Sequence, residues 1–487
     1  MKSEQPTTSA LASADAAAAA AAEASTGEPL PPYWRSARLR VSVLLFMALM
    51  LAYALRVLLS VAIINIAAEF GYTNTQQGLI SSSFFIGYLF LQVPGGWAAS
   101  TWGGWGVLLA GVLAPSALTL ATPPAAGSLP ALVAMRVLTG LGEGVTYPCV
   151  HALLGAWTPA AERSRTVGSV WAGAFMGTVV ALPLSGVLVA AAGWRSAFFF
   201  FGGAGLAWAA AWAALGASAP EKSASCGAAE AAYIARARGA PRAAGAAVPW
   251  AAMAACPAVW ALALQHATHN YLFYMLLTWL PSFLKDELNF DVEKSGAVAV
   301  LPYIACFAIA SGAGFAADAA LSRGAPPRAV RLTVQAASEL LPAAAILAAG
   351  FVTSAPAVVA LLTAAVGFSG AGCAGYGTNH LDIAPHIAGI LLGISNTLAT
   401  IPGIVAPIIV GDLVAAPHDD AAHWRLAFAI AAAVAAAGFA VFAVFGRAEP
   451  LPELAFGPSD ADRADAATAD GAHAALLAPE GEASINY

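Results

Sequence analysis

Residues 136–165 read RVLTGLGEGVTYPCVHALLGAWTPAAERSR. The run sets one cation and one anion, Arg136 and Glu143, in an apolar, glycine-rich stretch between long hydrophobic segments. A charge at membrane depth is costly, so it faces a cavity or a partner. Seven residues make about two helical turns, which puts both side chains on one face of one helix roughly 10 Å apart. That is too far for a direct salt bridge and suits two stations along one polar pathway. The alternative is a structural charge pair with partners on other helices.

The whole chain shares this character. Of its 487 residues, 60% are hydrophobic and 10% charged, and the mean hydropathy is +0.74. Soluble globular chains carry about 25% charged residues. This is an all-α polytopic membrane protein. The net charge of -6 sits largely in tails and loops, so it implies no charged macromolecular partner, and nucleic-acid binding is not indicated. The five cysteines (Cys149, Cys226, Cys256, Cys306, Cys373) show no CxxC spacing, so neither a disulfide framework nor a metal site follows.

A membrane span needs about 20 apolar residues. Twelve candidates stand out: 41–67, 77–99, 104–122, 130–156, 166–192, 196–216, 254–284, 296–320, 329–351, 356–378, 386–411 and 425–446. The expected organisation is a disordered tail (1–40), a six-helix half (41–216), a polar linker loop (217–249), a second six-helix half (250–446) and a disordered acidic tail (447–487). The first thirty residues lack the charged start and apolar core of a signal peptide. Threading the spans leaves fifteen of the 21 Lys and Arg on the side of the termini, four on the other and two, Arg56 and Arg136, inside. The positive-inside rule then makes both termini cytosolic.

The halves echo each other. GWRSAF (193–198) opens the sixth span and HWRLAF (423–428) the twelfth, while Gly and Pro interrupt the fifth and eleventh. Such a repeat with interrupted helices is the layout of secondary transporters, which bind substrate near the midplane. At 1.5 Å per residue, Arg56, Arg136 and His269 fall at similar depth, with Tyr88 and Tyr274 also interior and Glu143 about 10 Å nearer the cytosol. Two guanidiniums beside tyrosine hydroxyls suit a carboxylate or phosphate. Glu143 is the candidate proton station, because a neighbouring Arg and a low dielectric push its affinity for protons in opposite directions. His266 and Asn270 share nearly one face with His269. Asp318, at the end of the eighth span, reads as a gating ion pair with Arg323. Glu339 reads as a structural hydrogen bond; Asn379, Asp382, Asn396 and Thr397 are weaker polar contacts. A membrane enzyme would have to use His380 and Asp382, which lack a nucleophile or metal partner. An anion channel or sensor would keep the arginines without needing Glu143.

The runs TGLGEGVTYP–HALLGAWTPAAERSR, FFIGYLFLQVPGGW (84–97), YMLLTWLPSFL (274–284) and NHLDIAP–AGILLGISNTLATIPGIVAPIIVG (379–411) resemble the anion:cation symporters of the major facilitator superfamily. That family includes sialin, vesicular glutamate and nucleotide transporters, sodium-dependent phosphate transporters and plastid anion transporters. The resemblance implies twelve helices, alternating access and transport of a small organic anion or phosphate with H⁺, Na⁺ or the membrane potential, by a monomeric unit without other cofactors. It places Arg56, Tyr88, Arg136 and Tyr274 in the anion site and Glu143 as the coupling carboxylate. His269–Asn270 is similar to the HN pair of sialin-like members, where glutamate transporters carry an arginine, and Ser81 stands where those carry a histidine. STWGGWG (100–106) lacks the basic residue of the superfamily's gating motif, whereas the Asp318 copy is kept. The membrane it occupies, whether endolysosomal, plastid or plasma, is left open.

Overall fold

The structure is a computed structural model that describes residues 9–238, 247–288, 300–414 and 420–454. Among these residues it is all helical. Twelve apolar helical segments follow the expected order: Ala37–Phe70; Asn74–Phe90 with Gln92–Trp102; Gly104–Ala125; Leu129–Gly144 with Thr146–Trp157; Arg163–Ala192; Trp194–Leu215; Pro257–Leu288; Leu301–Ser322; Pro327–Ala349; Ala355–Ser369 with Tyr376–Ile383; Ala388–Val414; and Asp420–Phe445. They are called spans 1 to 12 below. Among the described residues nine helices are long and apolar enough to cross a bilayer, or ten with the bent pair of span 2. Span 4 misses that standard because it divides at Val145 into pieces of 16 and 12 residues. Span 7 carries Gln265, His266, His269 and Asn270 in its middle, and these lower its hydropathy.

Local signals set several helix ends. Ser36 caps span 1 by accepting from the Leu39 amide, and Gly71 ends it in the left-handed region at φ 73°. Thr73 and Gln76 form a capping box at the start of span 2. The repeated motif does equivalent work in both halves. In GWRSAF, Trp194 and Arg195 both bind Glu69 at the end of span 1; in HWRLAF, Arg425 donates to Gly350 O after span 9.

Packing repeats with the sequence. Span 1 lies on span 5 as 7 lies on 11, span 2 on 4 as 8 on 10, and span 3 on 6 as 9 on 12. Between the halves, span 5 meets span 8 and span 2 meets span 11. One apolar core, including Leu49, Cys149, Trp157, Val170, Leu381 and Ile390, runs through both halves near the face that carries the termini. Away from that face the core separates into one cluster per half. The molecule is thus closed on the terminal face, with a cavity above the closure.

Three expectations change here. Residues 9–40, expected to be disordered, carry a helix at Ser9–Thr26, and span 1 begins at Ala37. The expected linker loop contains a helix, Ala228–Arg238, that packs on the first one. Its Tyr233 donates to Asp15, and its Glu230 accepts from the Ala37 and Arg38 amides at the start of span 1. Ala-rich composition hid the first helix and polar composition the second, since their partners are each other and the bundle end. Residues 447–454 also pack, Leu451 donating to Ile383 O; the rest of the acidic tail lies outside the described residues. The cysteines are free; burial, followed by Glu230 and Glu221, pushes the Cys226 thiol in the linker up to about 12.

Candidate functional site: a cavity between the halves

Glycines bring spans 2 and 4 together. A Cβ on Gly140 would collide with Phe84 O, and one on Gly144 would come 2.7 Å from Tyr88 O. Small residues four apart let helix backbones approach closely. Phe84 and Tyr88 therefore stand directly beside Arg136 and Glu143. Arg56 from span 1 completes the group, its guanidinium 4.7 Å from the ring centres of both Phe84 and Tyr88 and 5.0 Å from Tyr53. Arg136 lies 5.1 Å from the same Phe84 ring. Two cations at one level thus share an aromatic platform, where desolvated cation–π contacts are worth about 2 kcal/mol.

Glu143 is 2% exposed and pairs with Arg56, Nη2 to Oε2 at 3.4 Å. Depth counting set Glu143 about 10 Å from Arg136, its alternative structural partner; the fold pairs it with Arg56. Glu143 Oε1, Arg56 Nε and Arg136 Nε are buried without a hydrogen-bond partner in the protein. With Glu143 ionised, the cluster holds two positive charges and one negative.

Two members of this group, Tyr53 and Tyr88, line one side of a cavity between the halves that is partly open to solvent. Tyr53, Tyr88, Tyr147, Trp171 and Phe175 line it from the first half. His266, His269, Asn270, Phe273 and Tyr274 line it from span 7, with Tyr376 and Asn396 from spans 10 and 11. Tyr274 packs on Gly403, where a Cβ would come 3.1 Å from its ring, and its hydroxyl neighbours Arg56. Asn270 lines the cavity but donates its amide to Ala399 O. Span 10 breaks into a 3-10 turn at Gly370–Cys373 beside the cavity, which brings Ser369, Cys373 and Tyr376 into its wall. The structure therefore gathers Tyr88, His269, Asn270 and Tyr274 around one space with Arg56, Arg136 and Glu143 behind it.

The partners of two polar residues were not legible in the sequence. Asn396 donates to Tyr88 Oη at 3.1 Å and to Gln92 Oε1 at 3.0 Å, tying the halves together at the cavity floor. Glu339 is the partner of His269, Nδ1 to Oε1 at 2.8 Å, so that histidine is engaged by an acid as well as facing the cavity. No linear spacing announces a contact across 70 residues.

The expected ion pair of Asp318 with Arg323 is corrected. Asp318 accepts the Ser164 and Arg165 amides of span 5, at 3.0 and 2.9 Å, while Arg323 donates to Ala319 O. The carboxylate projects across the inter-half boundary, where it meets the free N–H groups of a helix start, while the Arg323 guanidinium stays on the last turn of its own helix. Nearby, Arg331 binds both oxygens of Asp382 and reaches Ser164 Oγ of the other half at 2.8 Å. Arg163 lies 3.9 Å from the same Asp382. His380 contacts Ser395 and Gly377 O. Asp382 and His380 are thus parts of the closure, not a catalytic pair.

Comparison with known proteins agrees with this architecture. The family model described as Major Facilitator Superfamily matches residues 45–407. Sialin from Ovis aries is 37% identical over 459 residues, covering 88% of this chain and 92% of its own. The chloroplastic ascorbate transporter of Arabidopsis thaliana is 33% identical, covering 86% and 77%. Among solved structures, the major facilitator superfamily proton:xylose symporter XylE bound to 6-bromo-6-deoxy-D-glucose superposes with a TM-score of 0.69 at 14% identity, covering 86% of this chain and 98% of that one. That last likeness concerns fold alone. These relatives are transporters, not enzymes, and the chain belongs to the anion:cation symporter branch of the major facilitator superfamily as a multi-pass membrane transporter.

Proposed function

We propose that this protein moves a small organic anion, a carboxylate such as a sugar acid or acidic amino acid, together with protons by alternating access. The single observation that carries the reading is the Arg56–Glu143 pair, with Arg136 beside it, buried behind the tyrosines of the central cavity. An entering carboxylate competes with Glu143 for Arg56. Once Arg56 turns to the substrate, Glu143 is a buried acid short of its partner and takes up a proton, since a low-dielectric site disfavours the ionised form. Anion and proton then cross together. The bias of Lys and Arg supports a cytosolic position for both termini. One chain supplies both walls of the cavity, so a monomer is a complete unit.

A second reading, Na⁺- or potential-driven transport of phosphate or ascorbate on the same site, draws on relatives of those names: the ascorbate transporter above and the chloroplastic sodium-dependent phosphate transport protein 1 of Arabidopsis thaliana, 33% identical over 423 residues. Uptake into proteoliposomes of labelled sialic acid, glutamate, ascorbate and phosphate, under an imposed pH or Na⁺ gradient, separates the two. Accumulation of a carboxylate driven by the pH gradient, lost in Glu143→Gln while exchange persists, supports the first. Accumulation that ignores pH, or that survives Glu143→Gln, overturns it.

A further inference from the structure

The wall of the cavity facing the arginine cluster holds a buried acid of a different kind. Glu339 is 1% exposed, and a single oxygen, Oε1, receives His269 Nδ1 at 2.8 Å, Gln265 Nε2 at 2.9 Å and Gln335 Nε2 at 2.9 Å. The orientation of Gln335 is fixed from outside the group, because its Oε1 accepts the Tyr376 amide at 2.9 Å. The other buried acids among the described residues lie against arginines or a helix start: Glu143 has Arg56, Asp382 has Arg331, Glu162 and Glu230 share Arg38, and Asp318 has the start of span 5. Among the described residues the ion-pair partner of Glu339 is His269, the one side chain whose ordinary range lets it change charge near neutral pH. An unpaired ionised carboxylate is strongly disfavoured in such surroundings. His269 also lines the cavity, so the group is in reach of water through the imidazole.

We propose that His269 and Glu339 form a second proton-binding site, loaded from the cavity and separate from Glu143. With a proton the dyad is neutral, whether as imidazolium and carboxylate or as imidazole and carboxylic acid. Without it the wall opposite Arg56 and Arg136 carries a negative charge that opposes the anion. Raising the pH therefore weakens anion binding even where Glu143 cannot titrate. Among the described residues, the titratable groups around the dyad bring no further acid. His266, on the same span, shares Ser395 with His380; Tyr376 lies 5.1 Å from His269, ring to ring; and His151 lies 5.4 Å from His380. Cys373 and Cys306 flank span 9 from spans 10 and 8, and Tyr53 and Tyr274 face Tyr376 across the cavity. Span 12 presents apolar residues such as Trp424 and Phe428.

The ligand is the proton itself, so the test needs no substrate. Infrared difference titration of the whole protein in lipid nanodiscs, across about pH 5–8, is expected to show a carboxyl–imidazole step. That step survives Glu143→Gln and disappears in both Glu339→Gln and His269→Gln. A wild-type spectrum with no step beyond the one that Glu143→Gln removes overturns the site, as does a step that persists in either dyad variant. Thermal unfolding checks each variant; if Glu339→Gln does not fold, His269→Gln decides alone. In the Glu143→Gln background, counterflow of labelled sialic acid should slow as pH rises, and the slowing should vanish when His269→Gln is added. The coupling role of Glu143 is tested by accumulation and the dyad by titration, so either can fail without the other.

Discussion

The two seams that join the halves are built from the same sequence pattern and held by different forces. Gly96–Ser100 in span 2 (GWAAS) and Gly314–Asp318 in span 8 (GFAAD) are in register. In both, the glycine lies against the start of a helix from the other half: a Cβ on Gly314 would strike Ser164 O, and one on Gly96 would strike Gly389 O. Four residues on, the span 8 copy has a carboxylate that bonds the two amides at the start of span 5, where Glu162 makes no side-chain cap. The span 2 copy has a neutral hydroxyl. There the seam combines backbone fit, Gly393 lying against Gln92 O, with the hydrogen bonds of Asn396 to Tyr88 and Gln92. One seam carries a buried carboxylate on a helix start; the other is held by close backbone fit and by neutral hydrogen bonds. Under the proposed alternating access, opening this face replaces the ionic contact with water, whereas the backbone fit has no such substitute.

The largest effect should come from the ionic side. Arg331→Gln removes the close partner of buried Asp382 and should cost about 3–5 kcal/mol, read as a fall in thermal stability and loss of transport. An unchanged melting temperature would show that Arg163 alone compensates Asp382.

Next is Asp318→Ala, which strips the cap from span 5 and should cost the closed state about 2 kcal/mol, or roughly 30-fold in its population. Hydrogen exchange at the Ser164 and Arg165 amides should accelerate by a similar factor; equal protection in wild type and variant would remove the electrostatic account of this seam.

Gly96→Ala probes the steric seam. Its methyl group must displace backbone, at about 1–3 kcal/mol, and salt should leave the effect unchanged while it modulates that of Asp318→Ala. Equal salt dependence of the two would erase the distinction.

The smallest effect is a gain. Ser100→Asp, which copies the span 8 pattern, should stabilise the closed face by about 0.3–1 kcal/mol through the dipole of span 11 and slow turnover about two- to fivefold. Faster turnover would show that the seams are not equivalent in geometry.

Class, span order, the two-half repeat and the residues that would carry charge into the bilayer can all be read along the chain. These follow from local physics: hydropathy over about 20 residues, the period of a helix, and the cost of a buried charge. Arg56, Arg136, Glu143, His269 and Tyr274 were all legible as interior groups for that reason. Which of them meet was decided only by the tertiary structure. Arg56 finds Glu143 over 87 residues, His269 finds Glu339 over 70 and Ser164 finds Asp318 over 154. Depth along a helix axis can be counted from spacing, but the azimuth of each helix is set by glycine contacts with its neighbours. For the same reason the helices in the N-terminal segment and the linker escaped notice: their apolar faces are small and gain meaning only against each other.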